Sequence, residues 1–285
     1  MRVGIIGLGL IGGSMAIDLR RRGFADETVG FDADSVNAAA AERIGIVDRL
    51  ADYESCISLS DVIVLAVPAG TAAELLPGVL DRIACSDSGR EKVVIDVCST
   101  KSVLAECAGR HRMRRRYVAT HPMAGTEYSG PWAAMSGLFD GHACIMCDPW
   151  KSSSDAVELV EELYSVLGMR LLKMDSSGHD MHAAYVSHIS HLTSFALALT
   201  VLDKEKDEKN IFDLASGGFS STVRLAKSSP DMWTPILMQN RENLLEAVDT
   251  YMERMGMFRE AIADGDAESV RKLMSEANRI RKIIK

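Results

Sequence analysis

The chain has 285 residues, of which 47% are apolar and 25% charged, with a net charge of −8. That is enough for two packed domains, while the acidic balance argues against a nucleic-acid surface, and glycines 4, 7, 9, 12 and 13 break the apolar opening too often for a signal peptide or membrane span. Six scattered cysteines read as reduced thiols of a cytoplasmic protein.

Val3 to Ile6 is a short apolar run ending in glycines, helical spacing follows from Ile11 to Leu19, and Gly23 marks a stop. A second strand, Thr28 to Phe31, precedes an alanine-rich helix over Ser35 to Ile44. Val62 to Val67 is apolar throughout, as in a parallel strand covered on both faces. A helix at about 71–83, a strand at Val93 to Val97, a helix at about 101–109 and a strand at Tyr117 to Thr120 continue the alternation. The pattern specifies an α/β, doubly wound parallel sheet of Rossmann type. A strand at Ala143 to Cys147, a helix at about 153–167 and a strand at Arg170 to Met174 read as its extension. The basic run Arg110, Arg112, Arg114, Arg115 and Arg116 is expected on a solvated helix end and loop. Cys144 and Cys147 have zinc-like spacing but no second pair at a matching distance, so no metal is expected.

From about Ser177 the pattern becomes all-helical. A long apolar helix runs from His179 to Leu202, a charged connector spans Lys204 to Asn210, and helices follow at about 232–255 and 266–284. The first of these is apolar around most of its circumference and needs covering by neighbouring helices or a second subunit. The expected division is a dinucleotide-binding domain over 1–174 and a helical substrate and dimerisation domain over 175–285.

Gly7-Leu8-Gly9-Leu10-Ile11-Gly12 lies between the first strand and first helix, and Asp32 ends the second strand. The three glycines suit a tight turn, close approach of backbone to a pyrophosphate, and close helix–strand packing. The helix N-terminus supplies free N–H groups to the phosphates. Asp32 suits the ribose hydroxyls and would repel a 2′-phosphate, and no Arg or Lys occurs between 24 and 42 to bind one. The expected cofactor is NAD rather than NADP.

Two further segments follow strand ends, where open α/β sheets place ligands. In Asp96 to Lys101, Ser99 or Thr100 suits a helix cap. In Thr120-His121-Pro122-Met123-Ala124-Gly125-Thr126-Glu127, His121 is the candidate proton acceptor that oxidation of a carbinol carbon requires. His188 and His191 stand one helical turn apart without a carboxylate suited to a shared metal, so they are expected in hydrogen bonds or as pocket wall. Arg224, after the Gly217-Gly218 turn, suits a carboxylate through paired hydrogen bonds.

Taken in this order, the glycine-rich opening, Asp96 to Lys101, Thr120 to Glu127, Ser187 to His191 and Gly217 to Trp233 resemble the prephenate/arogenate dehydrogenase family of tyrosine biosynthesis. Ser190 stands where a proline is often found in that family. The resemblance implies NAD-dependent oxidative decarboxylation of prephenate to 4-hydroxyphenylpyruvate, or of arogenate to tyrosine. It implies that His121 and Ser99 are catalytic, that Arg224 binds a substrate carboxylate, and that His188, His191 and Glu127 shape or gate the pocket. It further implies a homodimer; from the chain's length, no appended regulatory domain and no preceding mutase domain are expected. The rival readings are another two-domain NAD-dependent hydroxyacid dehydrogenase and a non-enzymatic NAD-sensing regulator. The first would place a lysine on the long helix, where the sequence has histidines.

Overall fold

A computed structural model describes residues 1–85, 91–207 and 211–283. Its contacts divide the chain into two compact units, Met1–Asn240 and Arg241–Lys285.

The first unit is built on one eight-stranded sheet. Strand β1 (Arg2–Ile6) leads through helix α1 (Leu10–Arg21) to β2 (Glu27–Phe31), α2 (Ser35–Arg43), β3 (Arg49–Leu50) and α3 (Tyr53–Leu59). Then come β4 (Val62–Leu65), α4 (Ala69–Ala84), β5 (Val93–Asp96), α5 (Ser102–Gly109) and β6 (Tyr117–Pro122). Strands β7 (Ala143–Cys147) and β8 (Arg170–Met174) flank α6 (Ser154–Val166). The spatial order is β3-β2-β1-β4-β5-β6-β7-β8. The chain order reverses between β1 and β4, and the crevice beyond the carboxyl ends of these strands is where such sheets receive ligands.

Alternation along the strands supplies both faces of the core. Val3, Ile5, Val62, Val64, Val93, Ile95 and Val118 pack on one side with α1 and α6. Ile6, Ile63, Leu65, Val94, Tyr117 and Ala119 pack on the other with residues of α3, α4 and α5. The extension differs from a simple parallel continuation, because β7 pairs antiparallel with β6 and β8 runs parallel to β7. Cys144 joins the first apolar layer and Cys147 the second, so the two thiols face opposite sides of the sheet and cannot share one ion.

The basic run departs from expectation. Arg114 and Arg116 are buried. Arg114 donates to the Tyr117 carbonyl at 2.8 Å, and Arg116 donates to the Lys92 carbonyl at 3.0 Å and pairs with Asp155 and Glu91 at 2.5 and 2.8 Å. Local charge density does not reveal that carbonyls and carboxylates from distant segments meet at this point.

The helical part of this unit comprises α7 (Ser176–Ala183), a wider π turn (Ala184–His188), α8 (Ile189–Asp207), α9 (Gly217–Thr222), a 3₁₀ turn (Arg224–Lys227) and α10 (Pro230–Gln239). The expected connector therefore begins as helix, and its residues 208–210 lie outside the described ones. By length and composition the run Ser176–Lys206 is apolar enough to cross a membrane, with mean hydropathy 1.3, contrary to the expectation that no stretch looks like a membrane span. Its polar groups contradict that use. His179, Asp180 and His188 are buried, and the first two are hydrogen-bonded to residues on the β6 and β5–α5 segments.

The second unit contains α11 (Arg241–Ala263) and α12 (Ala267–Ala277), then a 3₁₀ turn (Asn278–Lys282). Asp266 caps α12 by accepting from the Glu268 and Ser269 N–H groups.

Candidate active site

The glycine loop has the geometry that a dinucleotide needs. Gly7 holds φ +98°, and a Cβ there would meet the Ala66 carbonyl oxygen at 2.4 Å. A Cβ at Gly12 would meet the Gly7 carbonyl oxygen at 2.0 Å, so α1 can start this close to β1 only with glycine. Gly9, the N-cap, has no side-chain cap, and a Cβ there would meet open space, leaving the first N–H groups of α1 available to an anion. Asp32 accepts from Leu8 N and Asp34 N, both at 2.9 Å, one at each carboxylate oxygen. Each oxygen keeps a second lone-pair direction for a ribose hydroxyl. These residues fit NAD.

At the ends of β5 and β6 the sheet meets the helical segment. His121, 7% exposed, contacts His179 through Nδ1···Nε2 at 2.8 Å, and His179 Nδ1 contacts Asp180 Oδ1 at 2.8 Å. Asp180 also accepts from the Lys101 and Ser102 N–H groups at 2.8 Å each, thereby capping α5 from another helix. Neither Ser99 nor Thr100 performs that capping: Lys101 is the N-cap and has no side-chain cap bond. Burial favours the protonated form of Asp180, but bonds from His179, Ser102 and Lys101 outweigh it and hold the carboxyl below its ordinary pKa.

The proton positions follow from this anion. A carboxylate only accepts, so His179 carries a proton on Nδ1, and in its neutral form it accepts at Nε2. His121 then donates through Nδ1, and its lone pair lies on Nε2, the state required of a general base. Burial, reinforced by His179, Lys101 and His188, drives the His121 pKa well below 6.5. The ring is therefore neutral at pH 7.

Ser99 is half-buried just beyond β5, with its backbone beside His188. Its neighbour Thr100 donates from Oγ1 to Gln239 Oε1 at 2.5 Å. His188 is fully buried, with Nδ1 on the Asn240 amide at 3.1 Å. His191 is half-buried; its Nδ1 faces the Ser187 carbonyl at 3.2 Å and its ring stacks on Trp233 with centroids 3.5 Å apart. Arg224 is exposed and meets Glu127 at 3.3 Å, which leaves other N–H groups of the guanidinium fork for a ligand. Glu127 is held below the ordinary carboxyl range by its own backbone N–H and by Arg224. The structure thus brings His121 to a two-residue relay and Arg224 to Glu127, with His191 close enough to Arg224 for the arginine to depress its pKa after burial has done so.

Sequence reasoning missed His179, Asp180, Trp233 and Asn240. His121 and His179 are 58 residues apart, and no local pattern pairs them. The available signal was an adjacent His-Asp in the first turn of a helix whose other residues are mostly apolar.

Residues 15–173 match the nucleotide-binding domain of prephenate dehydrogenase, and residues 175–276 match its dimerization domain. The chain belongs to the prephenate dehydrogenase family. The prephenate dehydrogenase of Lactococcus lactis is 30% identical over 279 residues, spanning 97% of this chain and 75% of that protein. The cyclohexadienyl dehydrogenase of Zymomonas mobilis is 28% identical over 290 residues, spanning 99% of this chain and 96% of that protein. A crystal structure of Aquifex aeolicus prephenate dehydrogenase with hydroxyphenyl propionate and NAD+ superposes with a TM-score of 0.86 at 27% identity, covering 100% of this chain and 98% of that one. The expected Rossmann-type fold, NAD cofactor and prephenate or arogenate dehydrogenase activity accordingly stand. The Gly7 to Gly12 loop precedes the matched nucleotide-binding segment, so its assignment stands on the backbone geometry above.

Proposed function

We propose that this family member oxidises and decarboxylates prephenate or arogenate with His121 as the base, on the strength of the His121–His179–Asp180 relay. Bound NAD, held by the Gly7, Gly9 and Gly12 turn and Asp32, supplies the hydride acceptor. As hydride leaves the ring carbon, its hydroxyl becomes acidic and His121 Nε2 takes the proton. The charge that develops on His121 is met through Nδ1–H by His179 and, behind it, the Asp180 carboxylate. Departure of the opposite ring carboxylate as carbon dioxide leaves its bonding electrons in the ring. The phenolate oxygen then recovers the proton from His121. In this reading Ser99, half-buried just beyond β5, holds the hydroxyl, Arg224 anchors a carboxylate, and Glu127, His188 and His191 border the pocket.

The same reading takes residues 175–285 as the substrate and dimerisation domain of a cytoplasmic homodimer. Val186, Leu199 and Leu202 on the long helical run are 67, 61 and 49% exposed, and Met252 and Met255 on α11 are 63 and 51% exposed. A second copy would cover such surface. Light scattering is expected to give about twice 31.0 kDa, and a monomer at low micromolar concentration would contradict the dimer.

The deciding experiment crosses prephenate and arogenate with NAD and NADP in initial-rate assays. Turnover with NAD of at least one substrate, and weaker use of NADP, is expected. Failure with both substrates would overturn the reaction assigned to this site.

A further inference from the structure

The α10 helix ends in Gln239, with Asn240 as its C-cap. The Asn240 amide nitrogen donates to the Asp180 carbonyl at 2.6 Å and lies 3.1 Å from His188 Nδ1. A backbone carbonyl only accepts, so the amide must face it with its NH2 group. The second proton of that group then points to His188 Nδ1, which must accept. We propose that Asn240 is a positioning residue that locks His188 as the neutral Nε2–H tautomer, so that His121 rather than His188 takes up the proton during turnover.

His188 has every other reason to be ambiguous. Asp180 and His179 lie on α7, His191 on its own helical run, Trp233 on α10, His121 at the end of β6, and the Ser99 backbone beyond β5. Burial, the largest influence, and the neighbouring imidazoles oppose a cation there, whereas Asp180 and a hydrogen bond with the Ser99 backbone favour one. With Asn240 donating to Nδ1, protonation would set two donors against each other, which decides the balance for the neutral ring. The surrounding groups also explain why neutrality is useful. A charge on His188 would depress the His121 pKa further and weaken the base. Nε2 of His188 is buried, and the Ser99 backbone beside the ring also favours a proton on it, so the locked tautomer presents a donor there.

This role rests on the dehydrogenase reading of the cleft, but the tautomer can be read without turnover. Nitrogen-15 NMR of histidine-labelled full-length protein, with the signal assigned by His188→Gln, is expected to show a proton on Nε2 and no titration between pH 6 and 8. In Asn240→Asp the carboxylate accepts from Nδ1–H, and His188 is expected to titrate in that window. Each unit by which the new cation lowers the His121 pKa reduces its basicity by about tenfold, so kcat at neutral pH falls while the KM for NAD is unchanged. Asn240→Ala, which adds no charge, is expected to free the tautomer, so that the His188 proton is shared between Nδ1 and Nε2, and to lower kcat by less than Asn240→Asp does. A wild-type proton on Nδ1, or an Asn240→Ala spectrum identical to wild type, would overturn the proposal. Absence of turnover with an Nε2–H tautomer in the wild type would overturn the reaction and leave the lock standing.

Discussion

The two ends of the candidate site are built in opposite ways. His121, His179 and Asp180 are nearly inaccessible, bonded in series, and fixed to the start of α5 by two backbone N–H groups. Arg224 and Glu127 are a long-range ion pair with side chains 50 and 23% exposed. The difference follows the tasks assigned to each. Proton transfer needs fixed geometry and a defined tautomer, which burial enforces by making unpaired polar groups expensive. Capture and release of a carboxylate needs a charge whose existing partner can be exchanged, and an exposed ion pair is weak enough for that.

The sharpest way to break this comparison is His121→Asn. Loss of a positioned base is expected to lower kcat by about 100- to 10,000-fold while leaving NAD affinity intact. In the wild type the base works only when neutral, and burial lowers its pKa. Activity should therefore persist below pH 6.5 and fall only in more acidic buffer, with that limb lost in the mutant. An acid limb at the ordinary histidine position would show that the working ring is less buried than His121.

Asp180→Asn tests the far end of the relay. It removes the anion that fixes both imidazole tautomers, and loss of a charge-assisted hydrogen bond is expected to reduce kcat by about 10- to 150-fold. A thermal melt run alongside separates this from loss of the α5 cap, and unchanged kcat in a folded variant would remove Asp180 from the mechanism.

At the exposed end Arg224→Ala is expected to raise the substrate KM by about tenfold, the low end for a charge-assisted pair because solvent screens it. The KM for NAD should not move, and an equal loss for both ligands would place Arg224 elsewhere. Glu127→Gln should have the smallest effect. By releasing the guanidinium it is expected to shift the substrate KM by less than about fivefold without affecting kcat. A collapse of kcat would make Glu127 part of the chemistry rather than a partner of Arg224.

The sequence determined what depends on local chemistry. Alternating apolar runs and helical spacing placed most strands of the sheet, because burial on both faces leaves continuous hydrophobic strands. The glycine turn was legible because φ +98° at Gly7 and the missing Cβ at Gly12 are requirements only glycine meets. His121 and Arg224 stood out by the company of neighbouring motifs. What required the tertiary structure was every feature made by residues far apart in the chain. The antiparallel turn from β6 to β7 depends on strand pairing, and the burial of Arg116 depends on the distant Lys92 carbonyl and Asp155 carboxylate. The same holds for the relay behind His121 and for the Asn240 contact with His188, which join segments 58 and 52 residues apart. Hydrogen bonds of this kind carry no periodicity along the chain, so only the packing of α7 and α10 against the ends of β5 and β6 decides which nitrogen of each histidine carries the proton.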